Sequence, residues 1–320
     1  MTGLRDALLS RDETRLPGRR DEDWRWTDLR GTLRPLPAVS DAVQPLAAFD
    51  EPEGVQVRRF AAPVTAGTFD ASLSVAAGET LWLLDRVDAG AGAYARDLAL
   101  DITLGEGATL HRLVLAADSA DAVSVTRAMV SLAPGATFHQ TVLATGGKRQ
   151  RIETAVAHPG AGARARLDGA YLLADGRHSD QTTILDHQGP GGTSEQLIRG
   201  VAADQARGVF QGRITVAVGA DGTDARLKHN ALLLSDRAEI DAKPELEIYA
   251  DDVACAHGNT VGTLDAEVLF YAMSRGIPEV EARLMLVEAF VGEIVERIGP
   301  APLQDAARAF VADQLEALRR

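Results

Sequence analysis

Three glycine-led segments, 107–110 (GATL), 135–138 (GATF) and 162–165 (GARA), determine the expected fold of this chain. They lie 28 and 27 residues apart, and short apolar runs of the kind that form strands separate them. A repeat of this length that contains two or three strands and no helical period is typical of stacked β-coils. We therefore predict a mainly β chain with a central parallel β-helix.

An antiparallel β-sandwich is the alternative fold. Strands at intervals of about 8 to 12 residues also describe that class. Apolar runs at 81–84, 98–104 and 123–132 suit either arrangement. The glycine repeat favours the solenoid, but strand spacing alone leaves both folds open.

The chain is expected to have three parts: an N-terminal helical arm at 1–60, a β-helix core at 61–262 and a C-terminal helical domain at 263–320. In the arm, Leu4, Leu8 and Leu9 have helical spacing. In the tail, one apolar stripe follows alternating steps of four and three residues, which predicts an amphipathic helix. Its members are Val280, Leu284, Val287, Val291, Ile294 and Ile298.

Composition argues against several classes of partner. The chain has 33 Lys and Arg against 46 Asp and Glu, a formal charge of -13 that repels nucleic acid and anionic membrane. It has no apolar run long enough to span a bilayer and no signal sequence at its start. The single cysteine, Cys255, excludes an internal disulfide and fits a reducing compartment. A soluble, cytoplasmic protein is expected.

Standard catalytic signatures are missing. The segment 146–149 (GGKR) lacks the spacing and the hydroxyl of a P-loop, and no zinc-hydrolase or serine-hydrolase motif occurs. We therefore expect no enzyme activity. One alternative is a carbohydrate-active β-helix enzyme with an acidic site at His178, Asp180, Asp186 and His187, although a polar strand edge explains these residues more simply.

Cys255 and His257 form the most suggestive local pair. In an extended strand, residues two apart share a face, with Cα atoms about 6.5–7 Å apart. A thiolate and an imidazole could then bind one iron or zinc ion. A buried cysteine beside an unrelated histidine is the alternative explanation.

The segment 231–258 (ALLLSDRAEIDAKPELEIYADDVACAHG) resembles the signature block of the SufB/SufD family of iron-sulfur cluster assembly proteins. The segments 261–265, 270–277 and 281–283 continue this resemblance. The segment 20–29 (RDEDWRWTDL) is similar to the opening of SufD-like chains. A short chain with one cysteine also favours SufD over SufB.

The resemblance implies a scaffold subunit in a complex of one SufB, one SufD and two SufC subunits. Cys255 and His257 would bind iron or a transient cluster shared with the SufB-like partner, with no cofactor tightly bound in the isolated chain. The tail would dock the SufC-like ATPase, and we assign that contact to Val280, Leu284, Val287 and Val291. The isolated chain is expected to form a homodimer. A purely structural solenoid remains a further alternative.

Overall fold

The computed structural model describes residues 3–42, 45–46 and 53–319. Strands occupy most of the chain between residues 56 and 262. Parts of the predicted arm at 1–2, 43–44 and 47–52, and the final residue of the predicted tail, lie outside the described residues. In chain order the strands are β1 (Asp41–Ala42), β2 (Pro45–Leu46), β3 (Gln56–Phe60), β4 (Ala66–Val75), β5 (Thr80–Val87), β6 (Ala95–Leu104), β7 (Thr109–Ala116), β8 (Val123–Leu132), β9 (Thr137–Ala144), β10 (Arg149–His158), β11 (Arg164–Leu173), β12 (His178–His187), β13 (Thr193–Ala202), β14 (Arg207–Val216), β15 (Thr223–Leu233), β16 (Glu239–Ile248) and β17 (Val253–Gly262).

These strands, apart from β2, which pairs antiparallel with β3, form a parallel β-solenoid of about 7 turns. Successive strands alternate between two sheets: β1 and the even-numbered strands from β4 to β16 form sheet A, and β2 with the odd-numbered strands from β3 to β17 forms sheet B. Each coil pairs in parallel register with the next, as β11 does with β13 from Arg164↔Thr193 to Leu173↔Ala202. The predicted β-helix is thereby confirmed, because a sandwich would require antiparallel neighbours.

The glycine repeat forms one corner of the solenoid. Gly107, Gly135 and Gly162 have φ values of 64°, 66° and 66°, a left-handed conformation that glycine adopts at no steric cost. The N–H of Gly107 donates to the carbonyl of Pro134 at 3.0 Å, and the N–H of Gly135 donates to that of Ala161 at 3.0 Å. The sequence repeat thus reflects a stacked turn that links each coil to the next.

Apolar side chains from both sheets fill the solenoid interior. Large members of this core are Leu104, Leu132, Phe138, Leu167, Tyr171 and Phe210. The interior also holds polar side chains: His158 lies in register with His187, both are fully buried, and their ring centroids are 4.3 Å apart. Two imidazole rings, tilted by 42° to each other, therefore lie in contact inside the solenoid.

The N-terminal segment covers the outer face of sheet A. It contains helix α1 (Leu4–Ser10) and two 3-10 turns at Glu13–Arg15 and Glu22–Trp24. Buried leucines pack on valines of the sheet: Leu4, Leu8, Leu16 and Leu29 against Val123 and Val125. The described part of the arm is therefore helical only over short stretches, and β3, which lies before residue 61, already pairs with β5.

Three helices follow the solenoid: α2 (Ala266–Ser274), α3 (Glu279–Glu296) and α4 (Ala301–Ala317). Gly276 separates α2 from α3 with a φ of 88°, and Pro278 immediately precedes α3. Helices α3 and α4 pack their apolar faces on the outer face of sheet B. Within the described ranges, no helix is long and apolar enough to cross a membrane.

Candidate functional site

The last coil differs from the others because no coil lies beyond it. Strand β16 ends sheet A and strand β17 ends sheet B, so each has a parallel neighbour in its sheet on one side only within the described chain. Most residues of both strands are exposed or half-buried. An uncovered edge of this kind offers backbone N–H and C=O groups for pairing with another chain.

Both predicted ligands, Cys255 and His257, lie on one face of β17. The strand is extended through both, as the spacing argument required. Cys255 pairs in register with Ala225, and His257 pairs with Leu227. Because Ala225 and Leu227 are buried in the solenoid interior, the Cys255/His257 face continues that interior face. We call it the terminal face: Cys255, His257 and Asn259 of β17.

The two predicted ligands differ in availability. Cys255 is half-buried against the core, and this burial raises the pKa of its thiol, with the charge on Asp224 adding to the effect and a backbone hydrogen bond at Ala225 opposing it. The protonated thiol is a weak metal ligand, since the thiolate is the binding form. His257, in contrast, is exposed.

Hydrogen bonds link the buried side chains of Tyr171 and His229 to Asn259, the third residue of the terminal face. His229 of β15 is fully buried, with Nε2 2.9 Å from the Tyr171 hydroxyl and Nδ1 2.6 Å from Oδ1 of Asn259. Its ring stacks on Phe210 with centroids 4.9 Å apart. Burial lowers the pKa of His229 to about 4, so the ring is neutral at pH 7. Sequence analysis missed this chain because its members are far apart in sequence; the alternation along β17 was the one signal that could have included Asn259.

The terminal face supplies only part of a metal or cluster ligand set. An iron-sulfur cluster is ordinarily held by about four thiolates, and this chain has one cysteine. Among the described residues, no group of three or more His, Cys, Asp or Glu side chains is arranged to hold a metal ion. Cys255 and His257 therefore fit cluster chemistry only if another chain provides further ligands.

The residues of the alternative acidic site do not meet. Asp180 and His178 are buried beneath the N-terminal segment and form hydrogen bonds with it. His187 lies in the solenoid core, where its ring contacts that of His158. Asp186 is half-buried on the outer face of sheet A. These four residues therefore form no shared acidic groove.

The four predicted docking residues of α3 divide between surface and core. Val280 is 49% exposed and Leu284 is half-buried, whereas Val287 and Val291 are 1% and 0% exposed. Val287 and Val291 pack against sheet B, so they have no surface left for a partner and are removed from the docking assignment. The apolar stripe identified the buried face of the helix correctly but could not show that the solenoid itself covers most of it.

Helix α2, unlike α3, leaves its apolar residues exposed. None of its residues is buried, although the helix is strongly apolar. Its exposed large apolar residues are Val268 (45%), Phe270 (73%), Tyr271 (60%) and Met273 (42%). A cluster of this kind on a protein surface is a candidate protein-interaction site.

Comparison with known proteins identifies the family of this chain. The family model described as "SUF system FeS cluster assembly, SufBD core domain" matches residues 70–290. The iron-sulfur cluster assembly protein SufD of Escherichia coli (strain K12) is 36% identical over 184 residues, which cover 58% of this chain and 44% of that protein. An iron-sulfur cluster assembly SufBD family protein of Synechocystis is 30% identical over 219 residues, 68% of this chain and 48% of the relative.

A SufBD family protein of Mycobacterium bovis is also 30% identical, over 247 residues that cover 75% of this chain and 61% of the relative. The chain thus spans about half the length of the curated relatives it matches. The family match covers most of the solenoid together with α2 and much of α3. The predicted relationship is confirmed: this chain belongs to the SufB/SufD family of iron-sulfur cluster assembly proteins.

Proposed function

We propose that this chain is a scaffold subunit of a cluster-assembly complex, and that its last coil pairs with the solenoid of a SufB-like partner. The observation that carries the proposal is strand β17, an uncovered edge whose exposed face holds His257 and Cys255. Pairing would cover this edge. It would also bring the two side chains next to ligands from the partner, which the partial ligand set requires.

The iron or nascent cluster is cargo in this scheme, held transiently and shared between the two chains. His257 has the larger role because its imidazole is exposed and has no packing function. Cys255 contributes less, since its thiol must first lose a proton whose pKa burial raises. The chain has no catalytic role of its own and works in the cytoplasm, where a single reduced cysteine is stable.

The helical tail docks the SufC-like ATPase through α2 and the start of α3. The exposed residues of α2, together with Val280 and Met285, form the proposed docking patch: Val268, Phe270, Tyr271, Met273, Val280 and Met285. Leu284 lies beside this patch. Val287 and Val291 instead attach α3 to sheet B, so a movement of the docked ATPase would be transmitted to the solenoid through them.

The ligand role is tested with His257→Ala in the complex purified with its SufB-like and SufC-like partners. Anaerobic cluster assembly from ferrous iron and sulfide should slow by at least about tenfold, which corresponds to an increase of roughly 1.4 kcal/mol or more in the activation free energy. Thermal unfolding and ATP turnover should be unchanged, because His257 is exposed and lies on β17 rather than on the tail helices. Thr260→Ala, on the other face of β17, is the matched control. Normal assembly by His257→Ala would disprove the ligand role.

The docking patch is tested by exchanging its most exposed residue. Phe270→Asp should abolish co-purification of the ATPase without lowering the melting temperature, because Phe270 is 73% exposed. Val287→Ala should do the reverse, costing about 2 kcal/mol of stability while the ATPase still binds. Retention of the ATPase by Phe270→Asp would rule out α2 as the docking surface.

A further inference from the structure

We propose that Asn259 is a third working residue of the terminal face, and that Tyr171 and His229 position it so that its amide N–H groups are presented to an anionic sulfur ligand. This inference rests on the proposed function and assigns it a hydrogen-bond donor beside the two ligands. Asn259 would bind the sulfide or thiolate part of the cargo. Tyr171 and His229 act through Asn259 and touch no ligand themselves.

Tyr171 determines which nitrogen of His229 carries the proton. Its hydroxyl belongs to a fully buried side chain, and its hydrogen-bond partner among the described residues is Nε2 of His229. A buried polar hydrogen left without an acceptor is strongly unfavourable, so the hydroxyl donates and Nε2 accepts. In a neutral imidazole the proton must then lie on Nδ1.

The orientation of the Asn259 amide follows from that tautomer. Nδ1–H of His229 donates to Oδ1 of Asn259 at 2.6 Å, so the amide oxygen faces the histidine. Among the residues that the structure describes, neither amide N–H group donates to another side chain or carbonyl, and Asn259 is exposed, so both can interact with a bound group. Asn259 follows His257 by two residues on the same face, with a Cα separation of about 6.5–7 Å. A group bound at His257 therefore lies within reach of the amide, and hydrogen bonds to sulfur are a known means of tuning iron-sulfur chemistry.

The surrounding backbone is shaped for Tyr171. A Cβ atom on Gly200 would lie 2.2 Å from the Tyr171 hydroxyl oxygen, and one on Gly208 would lie 2.4 Å from its ring. Two glycines on consecutive strands, one in each sheet, thus leave space for this side chain. Phe210, stacked on His229, restrains the imidazole ring. The polar chain is consequently held rigidly from the core to the terminal face.

The tautomer is tested by nitrogen NMR of the chain labelled with ¹⁵N-histidine at pH 7. The His229 signal should show a protonated Nδ1 and an unprotonated Nε2. Tyr171→Phe removes the donor to Nε2, so the single tautomer should be replaced by a mixture or by its opposite. A wild-type spectrum with the proton on Nε2 would overturn the proposal, as would a Tyr171→Phe spectrum identical to wild type.

The working role is tested by anaerobic assembly from ferrous iron and sulfide on the complex with the SufB-like partner. Asn259→Ala should slow assembly by about fivefold to tenfold, and Tyr171→Phe by about threefold, with thermal unfolding of Asn259→Ala unchanged. Asn230→Ala is the matched control: its amide donates to Thr260 on the opposite face of the same strand pair, so assembly should be normal.

Results for His257→Ala separate this proposal from the proposed function. If His257→Ala slows assembly while Asn259→Ala and Tyr171→Phe do not, the role of Asn259 is wrong and the proposed function stands. If His257→Ala assembles clusters at the normal rate, both proposals fail. Slow assembly by all three variants, with the expected tautomer in the NMR spectrum, supports both.

Discussion

Strands β11 and β17 have the same length and lie in the same sheet, yet their surroundings are opposite. Strand β11 is buried along most of its ten residues, whereas β17 is exposed along nearly all of its ten. The difference lies in their neighbours, since β11 is flanked by β9 and β13 while β17 has only β15. Changes in the inner coils should therefore affect stability, and changes in the last coil should affect assembly.

The largest expected effect is acid destabilisation through the inner coils. Burial lowers the pKa of His158 to about 3 and that of His187 to about 4, below the value of 6.5 expected in the unfolded chain. Protonation of these rings therefore favours unfolding. Their contribution to the free energy of unfolding is complete above pH 6.5 and is lost as the pH falls toward 4. We expect a loss on the order of 4 kcal/mol between pH 7 and pH 4.5 from this pair.

Urea denaturation at several pH values measures this loss. His158→Leu replaces one buried imidazole of this pair with an aliphatic side chain and should remove about half of the pair's contribution to the loss, while the other buried histidines still contribute theirs. An unchanged pH dependence in this variant would assign the acid sensitivity to other groups.

Truncation of a leucine to alanine should lower the free energy of unfolding more in the inner coils than in the last coil. This difference should be smaller than the acid effect. Leu167→Ala in β11 leaves a cavity in the core and should cost about 3 kcal/mol. Leu246→Ala in β16 removes a half-buried side chain of the last coil and should cost about 1 kcal/mol or less. Chemical denaturation measures both losses of unfolding free energy. Equal losses for the two variants would show that the last coil is as well covered in solution as the inner coils.

Substitutions in the last coil should affect the association of the chain more than its stability. We expect the isolated chain to form a homodimer through β17, so Val261→Asp should raise its dissociation constant about tenfold, equivalent to roughly 1.4 kcal/mol. Val261 is 43% exposed, and Val218→Asp, at an 82% exposed position, is the control. Sedimentation velocity measures both variants. A wild-type chain that is monomeric at micromolar concentration would contradict this pairing.

Cys255 should give the smallest effect. Burial and Asp224 raise the pKa of its thiol, so alkylation at pH 7 should be slower than that of a free cysteine and should accelerate as the pH rises. Asp224→Asn removes one cause and should increase the rate about twofold, whereas Asp221→Asn should leave it unchanged. Because the chain has one cysteine, mass spectrometry follows this site alone. A rate that is insensitive to Asp224→Asn would exclude its charge as a cause.

Several features were accessible from the amino-acid sequence because they depend on local chain geometry. The glycine repeat predicted stacked coils, since a left-handed turn that recurs once per coil favours glycine at that interval. The predicted strand at 123–132 has the bounds of β8, and the helical tail begins and breaks close to the expected positions. The shared face of Cys255 and His257 followed from the two-residue period of a strand.

Other features were decided only by the tertiary structure. A hydrophobic stripe shows that a helix has a face to bury but not what covers it, so Val287 and Val291 appeared available for a partner although sheet B covers them. The contact of Tyr171 with His229 spans 58 residues of sequence and exists because two coils bring them together. The period of the sequence thus determined the coils and the faces of their strands, whereas the packing of one coil or segment on another determined which of those faces remain open for chemistry.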